Sequence, residues 1–163
     1  MKLKLLLDML AVQSELLEEL LTVFERETVE MGDLNISGMS GSNQAKEELI
    51  GKITVNSQAI QQAISGLAVS YDLVATTSLK SIAEHLAKKG NKELLLKQQH
   101  LTKTTDRIQQ VAALNLEIAE RFTSTITTSL TLITRLINQS NIYGASGGYQ
   151  RNSTSSVMIN REA

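Results

Sequence analysis

A seven-residue hydrophobic repeat runs through the stretch from Asn91 to Asn138. Its positions are Leu94, Leu101, Ile108, Asn115, Phe122, Ser129 and Leu136, five of which are apolar. Neither proline nor glycine occurs in this stretch, so no residue type in it forces a helix to stop. The pattern predicts one helix of about 48 residues, which reaches roughly 72 Å at about 1.5 Å per residue. Such a helix predicts an elongated molecule.

A second heptad series begins at the amino terminus and predicts a helix from Lys2 to Met31. It consists of Leu3, Leu10, Leu17, Phe24 and Met31. Asp8 interrupts the apolar start of this segment, which favours a helix over a signal peptide. Six glutamates cover much of the remaining surface: Glu15, Glu18, Glu19, Glu25, Glu27 and Glu30. They form either a solvated face or a binding surface for a basic partner.

Glycines and serines predict a connector after this first helix. Gly32 is expected to take a left-handed cap conformation, and Gly38 and Gly41 extend the loose segment to about residue 43. A second helix is then expected from Ser42 or Asn43 to about Gly66 or Leu67. Its seam is Ile53, Ile60 and Leu67, with the same seven-residue period as the first helix. The matched periods predict an antiparallel hairpin between the two helices.

The next connector is expected at residues 68–77. Ser78 then begins a short helix, because Leu79, Ile82, Ala83 and Leu86 follow at helical spacing. Gly90 stands where a C-cap glycine belongs, and Asn91 is placed to cap the long helix that follows. After Asn138 the composition changes to glycine, serine, asparagine, tyrosine and arginine, which is typical of a disordered tail.

Composition supports an all-α fold and excludes several kinds of function. The chain has no cysteine, proline or tryptophan, and its formal charge is −1. It therefore lacks a disulfide framework, a thiolate metal site and a broad basic surface for nucleic acid. His85 and His100 lie on different predicted helices without a ligand cluster, and no nucleophile has a base in local reach. We expect no enzyme activity, no metal, no cofactor and no membrane span.

The predicted architecture is an elongated antiparallel helical bundle, or coiled-coil hairpin, with one long C-terminal helix. Residues 1–140 form the bundle and residues 141–163 a flexible tail. Two features mark the long helix. Asn115 occupies a seam position, where it either fixes the register or lies in a partly wet end of the bundle. Hydroxyl residues crowd the segment from Thr123 to Thr134, so it should be the softest part of the helix.

Three short motifs give the chain a resemblance to the FlgN-like flagellar export chaperones. They are the turn Gly32-Asp33-Leu34, the pair Leu114-Asn115 in the middle of the long helix, and the tail element Tyr143-Gly144-Ala145-Ser146-Gly147. The resemblance extends over nearly the whole chain, mostly as a pattern of helices. It implies a cytoplasmic chaperone that binds the hook–filament junction proteins and delivers them to the flagellar type III export gate. The export ATPase is a further candidate partner.

The resemblance, together with the threonine-rich segment, implies two sites. The cargo site is expected on the apolar positions of that segment: Phe122, Ile126, Leu130, Ile133 and Ile137. A soft amphipathic helix is suited to take up a partner segment as an added helix. Docking to the export gate is assigned to Tyr143, Gly144 and Gly147. Two other classes stay open, a structural or adaptor coiled coil and a secreted helical subunit.

Overall fold

The computed structural model of the protein describes residues 2–140, with the side chains of residues 2–137. Within that range the chain forms four helices and no strand. They are α1 (Lys2–Gly32), α2 (Ile36–Ser70), α3 (Leu79–Lys88) and α4 (Glu93–Ser140). The all-α prediction with one long C-terminal helix is confirmed. The chain divides into two units, one ending at Ala119 and the other beginning at Glu120.

The connector predicted up to residue 43 is wrong, because α2 begins at Ile36 after a turn of only three residues. Asn35 caps this helix, its side-chain oxygen accepting a 3.0 Å hydrogen bond from the Gly38 backbone. Gly38 is a site of close approach. A Cβ there would lie 2.6 Å from the Asn35 side-chain nitrogen and 2.9 Å from Glu30 Cδ. The glycine therefore makes room for the cap.

The left-handed residue of this turn is also not the predicted one. Gly32 is the last residue of α1, and Leu34 takes the positive φ of 54°. The Asn35 backbone N–H reaches back to the Glu30 carbonyl at 2.8 Å and closes the turn. Hydrogen bonding at the helix ends thus outweighs the preference of glycine for this conformation.

The boundaries of α3 agree with the sequence more closely. The Ser78 hydroxyl accepts from the Ser81 backbone at 3.2 Å, as an N-cap does. Gly90 follows the helix with φ +93°, the predicted C-cap conformation. Asn91 accepts a 3.1 Å bond from the Glu93 backbone at the start of α4. The second helix ends at Ser70, slightly beyond the predicted end.

The first unit is held by two hydrophobic clusters. One joins all four helices through Leu6, Leu10, Ile60, Leu67, Ala68, Ile82, Ala83, Leu86 and Leu94. The other joins α1, α2 and α4 through Leu20, Val23, Leu49 and Ile108. Helices α1 and α2 are antiparallel, since Lys2 bonds to Gly66 and Arg26 to Ser42. The predicted hairpin is therefore confirmed.

Helix α4 runs parallel to α1 along this hairpin. His100 pairs with Glu18 at 2.8 Å, and seven residues later Arg107 pairs with Glu25 at 3.4 Å. Both ion pairs are about half exposed, so each contributes only roughly 0–1 kcal/mol. The buried clusters, and not these pairs, supply most of the stability of the packing.

A buried polar layer follows the second cluster on α4. The Asn115 amide donates to the Phe24 carbonyl at 2.9 Å and to Glu27 Oε2 at 3.0 Å, and it accepts from the Thr28 hydroxyl at 2.5 Å. Lys46 from α2 lies 2.6 Å from the other oxygen of Glu27. Asn115 is 3% exposed, so the layer is dry and all three helices contribute to it. This arrangement favours the register-fixing interpretation of Asn115.

Candidate functional site

The five residues predicted for cargo binding form a continuous apolar stripe on α4. At about 100° and 1.5 Å per residue they lie within an arc of roughly 80° and extend about 22 Å along the helix. All five side chains are exposed, from 37% at Phe122 to 59% at Ile126. We call Phe122, Ile126, Leu130, Ile133 and Ile137 the α4 stripe.

The heptad series of α4 changes from buried to exposed along the helix. Ile108 is 9% exposed and Asn115 is 3% exposed, whereas Phe122 is 37% and Leu136 is 65% exposed. The seven-residue spacing continues across these positions, with Asn115 and Ser129 as polar members, so the apolar side chains at Phe122 and Leu136 remain suited to helix packing. The α4 stripe therefore has the composition of a helix interface but is open to solvent, which is typical of a binding surface.

The hydroxyl groups beside the stripe are bonded within the helix itself. The side chains of Thr125, Thr127, Ser129, Thr131 and Thr134 each donate to the backbone carbonyl four residues earlier, at distances of 2.8–3.0 Å. Such bonds slightly destabilise a helix and often bend it. The softness of this segment stays a prediction, with which these bonds are compatible.

A second apolar surface lies between α1 and α2, where the predicted helical hairpin gives an alternative place for cargo binding if the α4 segment does not bind it. Its lining consists of Val12, Leu16, Glu47, Glu48, Gly51, Lys52, Val55, Asn56 and Ala59. We call this surface the hairpin groove. Val12 and Val55 are 49% and 70% exposed, so apolar area is open to solvent here as well. The sequence predicts a groove between the two helices, but its lining residues require the structure of the pair.

The predicted docking residues Tyr143, Gly144 and Gly147 lie outside the described residues, as does the whole predicted tail at 141–163. Their assignment stays a prediction. The proposed division after residue 140 also stays a prediction for this reason.

Within the described residues, no group of three or more histidine, cysteine, aspartate or glutamate side chains could hold a metal ion. Nor does any of the described helices have the length and hydropathy needed to cross a membrane. His100 contacts Glu18 across α1 and α4, a pairing that local spacing did not reveal. His85 packs at the edge of the Tyr71 ring, with 6.4 Å between ring centroids. The two histidines lie in separate contacts.

Comparison with known proteins gives one match. A family model described as FlgN protein matches residues 1–151 of the chain. This range includes both surfaces described above and the predicted docking residues. No curated protein and no solved structure matches the chain significantly.

Proposed function

The chain belongs to the FlgN protein family, whose members are flagellar export chaperones, and from this premise we propose that it carries hook–filament junction proteins on the α4 stripe. The supporting observation is the exposure of five aligned apolar side chains on a helix with heptad spacing. An amphipathic terminus of a junction protein is the kind of segment that fits such a surface, as a helix packed against a helix.

The size of the stripe is compatible with reversible binding. Burial of each large aliphatic side chain is favourable by roughly 1.5–3 kcal/mol, while ordering of a flexible partner segment costs several kcal/mol. Five such residues give a modest net affinity, which suits a chaperone that must release its cargo. We propose that binding takes place in the cytoplasm and protects the junction protein from aggregation through its exposed apolar segment.

Delivery to the export gate is the second part of the proposal. We assign it to Tyr143, with Gly144 and Gly147 allowing the backbone to turn beside the ring. Tyrosine is a frequent anchor at interfaces because it combines a large apolar ring with a hydroxyl group. The export ATPase is a further candidate partner for the same complex.

Hydrogen exchange and mutation test the cargo site. Amides between Phe122 and Ile137 should exchange rapidly in the free protein and become protected on addition of a junction-protein terminus. Ile126→Asp and Ile133→Asp should each weaken binding by about tenfold or more. Leu132→Asp is the matched control, because Leu132 is 54% exposed on the same segment but on another face. Unchanged protection and equal losses in all three variants would exclude the stripe as the cargo site.

The competing function is that of an adaptor coiled coil in which the stripe mediates self-association. Its exposed heptad positions are also compatible with that role. Sedimentation analysis of the same variants separates the two. If Ile126→Asp converts an oligomer into a monomer and leaves junction-protein binding intact, the stripe is a self-association surface.

A further inference from the structure

The acidic residues of α1 fall into two groups with different surroundings. Glu25, Glu27 and Glu30 each contact an arginine or lysine, and Glu18 contacts the His100 ring, at distances between 2.6 and 3.5 Å. Asp8, Glu15 and Glu19 are exposed, and none of them pairs with a basic side chain within the described part of the chain. The first group serves the packing of the bundle. The second group has no structural use in the first unit.

The acidic residues without a structural use lie along one edge of the hairpin groove. Asp8, Val12, Glu15 and Glu19 follow one another at helical intervals of four, three and four residues, so they share one face of α1. This face is turned by about 90–110° from Glu18 and Glu25, which contact α4. Glu47 and Glu48 provide carboxylates on the α2 side, where Lys52 is the one basic lining residue.

The floor of the groove is apolar, and its α2 side has a gap where Gly51 lacks a side chain. Val12, Leu16, Val55 and Ala59 supply aliphatic surface. Gly51 is exposed on the α2 side of the groove lining, and a Cβ added there would meet no atom within 4 Å. Residues 47–59 extend for about 18 Å at 1.5 Å per residue, which corresponds to between three and four helical turns of a partner.

From this arrangement we propose that the hairpin groove binds a basic amphipathic helix of a partner protein, packed as a further helix against α1 and α2. The apolar floor would bury the aliphatic face of the partner, and the two acidic edges would pair with lysine or arginine on either side of that face. The charge of the edges argues against a neutral or acidic helix as occupant. None of the residues involved belongs to the α4 stripe.

Two designed peptides test the chemistry of the groove. Both are stapled helices of about 18 residues, or roughly 27 Å, with the same leucine face. One carries lysines at the two edges of that face, and the other carries glutamates. With the full chain, fluorescence anisotropy should show binding of the lysine peptide that is at least about tenfold tighter and that weakens as salt is raised. Equal binding of the two peptides, or no binding of either, would overturn the proposal.

Variants locate the site on the chain. Gly51→Leu fills the groove and should weaken binding of the lysine peptide by about tenfold, while Gln61→Leu, on another face of α2, should not. The double variant Glu15→Lys with Glu19→Lys should likewise weaken binding of the lysine peptide by about tenfold. Glu84→Lys with Asp106→Lys, which changes the net charge by the same amount, serves as its control. Because a Cβ at position 51 meets no other atom, the melting temperature of the Gly51→Leu variant should be unchanged or raised.

The other occupants are outcomes of the same experiments. If Gly51→Leu converts a dimer into a monomer, a second copy of the chain covers the groove and the proposal fails. If Ile126→Asp abolishes binding of the lysine peptide and Gly51→Leu does not, the peptide occupies the α4 stripe and the proposal likewise fails. Loss of junction-protein binding in Ile126→Asp, with peptide binding retained, supports separate surfaces and is independent of what the groove binds.

Discussion

Asn115 on α4 donates a 3.0 Å hydrogen bond to the carboxylate of Glu27 on α1, although both side chains are withdrawn from solvent. The amide of Asn115 makes all its bonds to α1, and Lys46 completes the layer from α2. A polar layer of this kind contributes less to stability than an apolar one of equal volume, but it specifies how the helices align. Its removal therefore gives the most direct test of the packing of the first unit.

Asn115→Asp should destabilise the protein more than Asn115→Leu does. The new carboxylate would lie about 3 Å from Glu27, where two buried like charges repel each other, and we expect a loss of roughly 3–5 kcal/mol. Leucine only removes hydrogen bonds and should cost about 1–3 kcal/mol. Urea unfolding measures both values, with Gln110→Asp on the exposed side of α4 as control. A cost for Asn115→Asp no greater than that of the control would show that the layer is open to water.

Lys46→Met should also be strongly destabilising, because it leaves the Glu27 carboxylate without its cation. Glu27 is 5% exposed at the side chain and Lys46 is 16% exposed, so the loss should be about 3–5 kcal/mol. Adding Glu27→Gln to Lys46→Met removes the charge and keeps an acceptor for Asn115. The double variant should recover at least half of the loss in the free energy of unfolding. No recovery would mean that the lost contact of the Lys46 ammonium over the Phe24 ring, 5.0 Å from its centroid, dominates.

The two glycines near the start of α2 should respond to alanine with opposite signs. At Gly41 a Cβ meets nothing within 4 Å, so Gly41→Ala should stabilise the helix by roughly 0.5–1 kcal/mol. At Gly38 the Cβ would displace the Asn35 side chain and break its cap, which should cost about 0.5–2 kcal/mol. Thermal unfolding of the two variants checks the prediction. A higher melting temperature in both variants would show that Asn35 has another way to cap α2.

Tyr143→Ala should abolish binding to the cytoplasmic domain of the export gate. The ring is the proposed anchor, so its removal should affect docking and leave cargo affinity and melting temperature unchanged. Tyr149→Ala is the matched control, because Tyr149 is the next tyrosine and no glycine follows it directly. Titration of the gate domain with each variant measures the effect. A lower melting temperature with normal gate binding would make Tyr143 a structural residue instead.

The elements that rest on periodicity were predictable from the sequence, and those that rest on one contact between helices were not. The heptads at Leu10 and Ile108 predicted α1 and α4 because a 3.6-residue helix must align such positions. The sequence predicts a flexible connector at Gly38. A glycine looks the same in a sequence whether it makes the chain flexible or makes room for a neighbouring side chain. The Asn35 cap was the available signal that α2 begins early.

The candidate surfaces likewise combine features that the sequence predicts with features that only helix packing reveals. The α4 stripe follows from spacing, and its exposure required the structure because the seven-residue spacing is the same at buried Ile108 and at exposed Phe122. The hairpin groove required the pairing of α1 with α2. Six glutamates on α1 have similar surroundings in the sequence, yet Glu27 is buried against Lys46 while Glu19 is exposed. Only three-dimensional packing separates acids that hold the bundle from those that face outward.

The inward hydrogen bonds of the α4 hydroxyls change what a partner meets on this helix. The hydroxyls of Thr127 and Thr131 donate their hydrogen bonds to backbone carbonyls, so a partner meets no unmatched hydroxyl donor at these two positions. A docking segment then need not strip water from unmatched donors, a step that costs about 1–3 kcal/mol for each buried hydroxyl. Because no directional hydrogen bond has to be satisfied, a bound helix can slide or rotate on the surface with little loss of binding free energy. Segments of unrelated sequence would thus bind if they offer a helical shape and an apolar face.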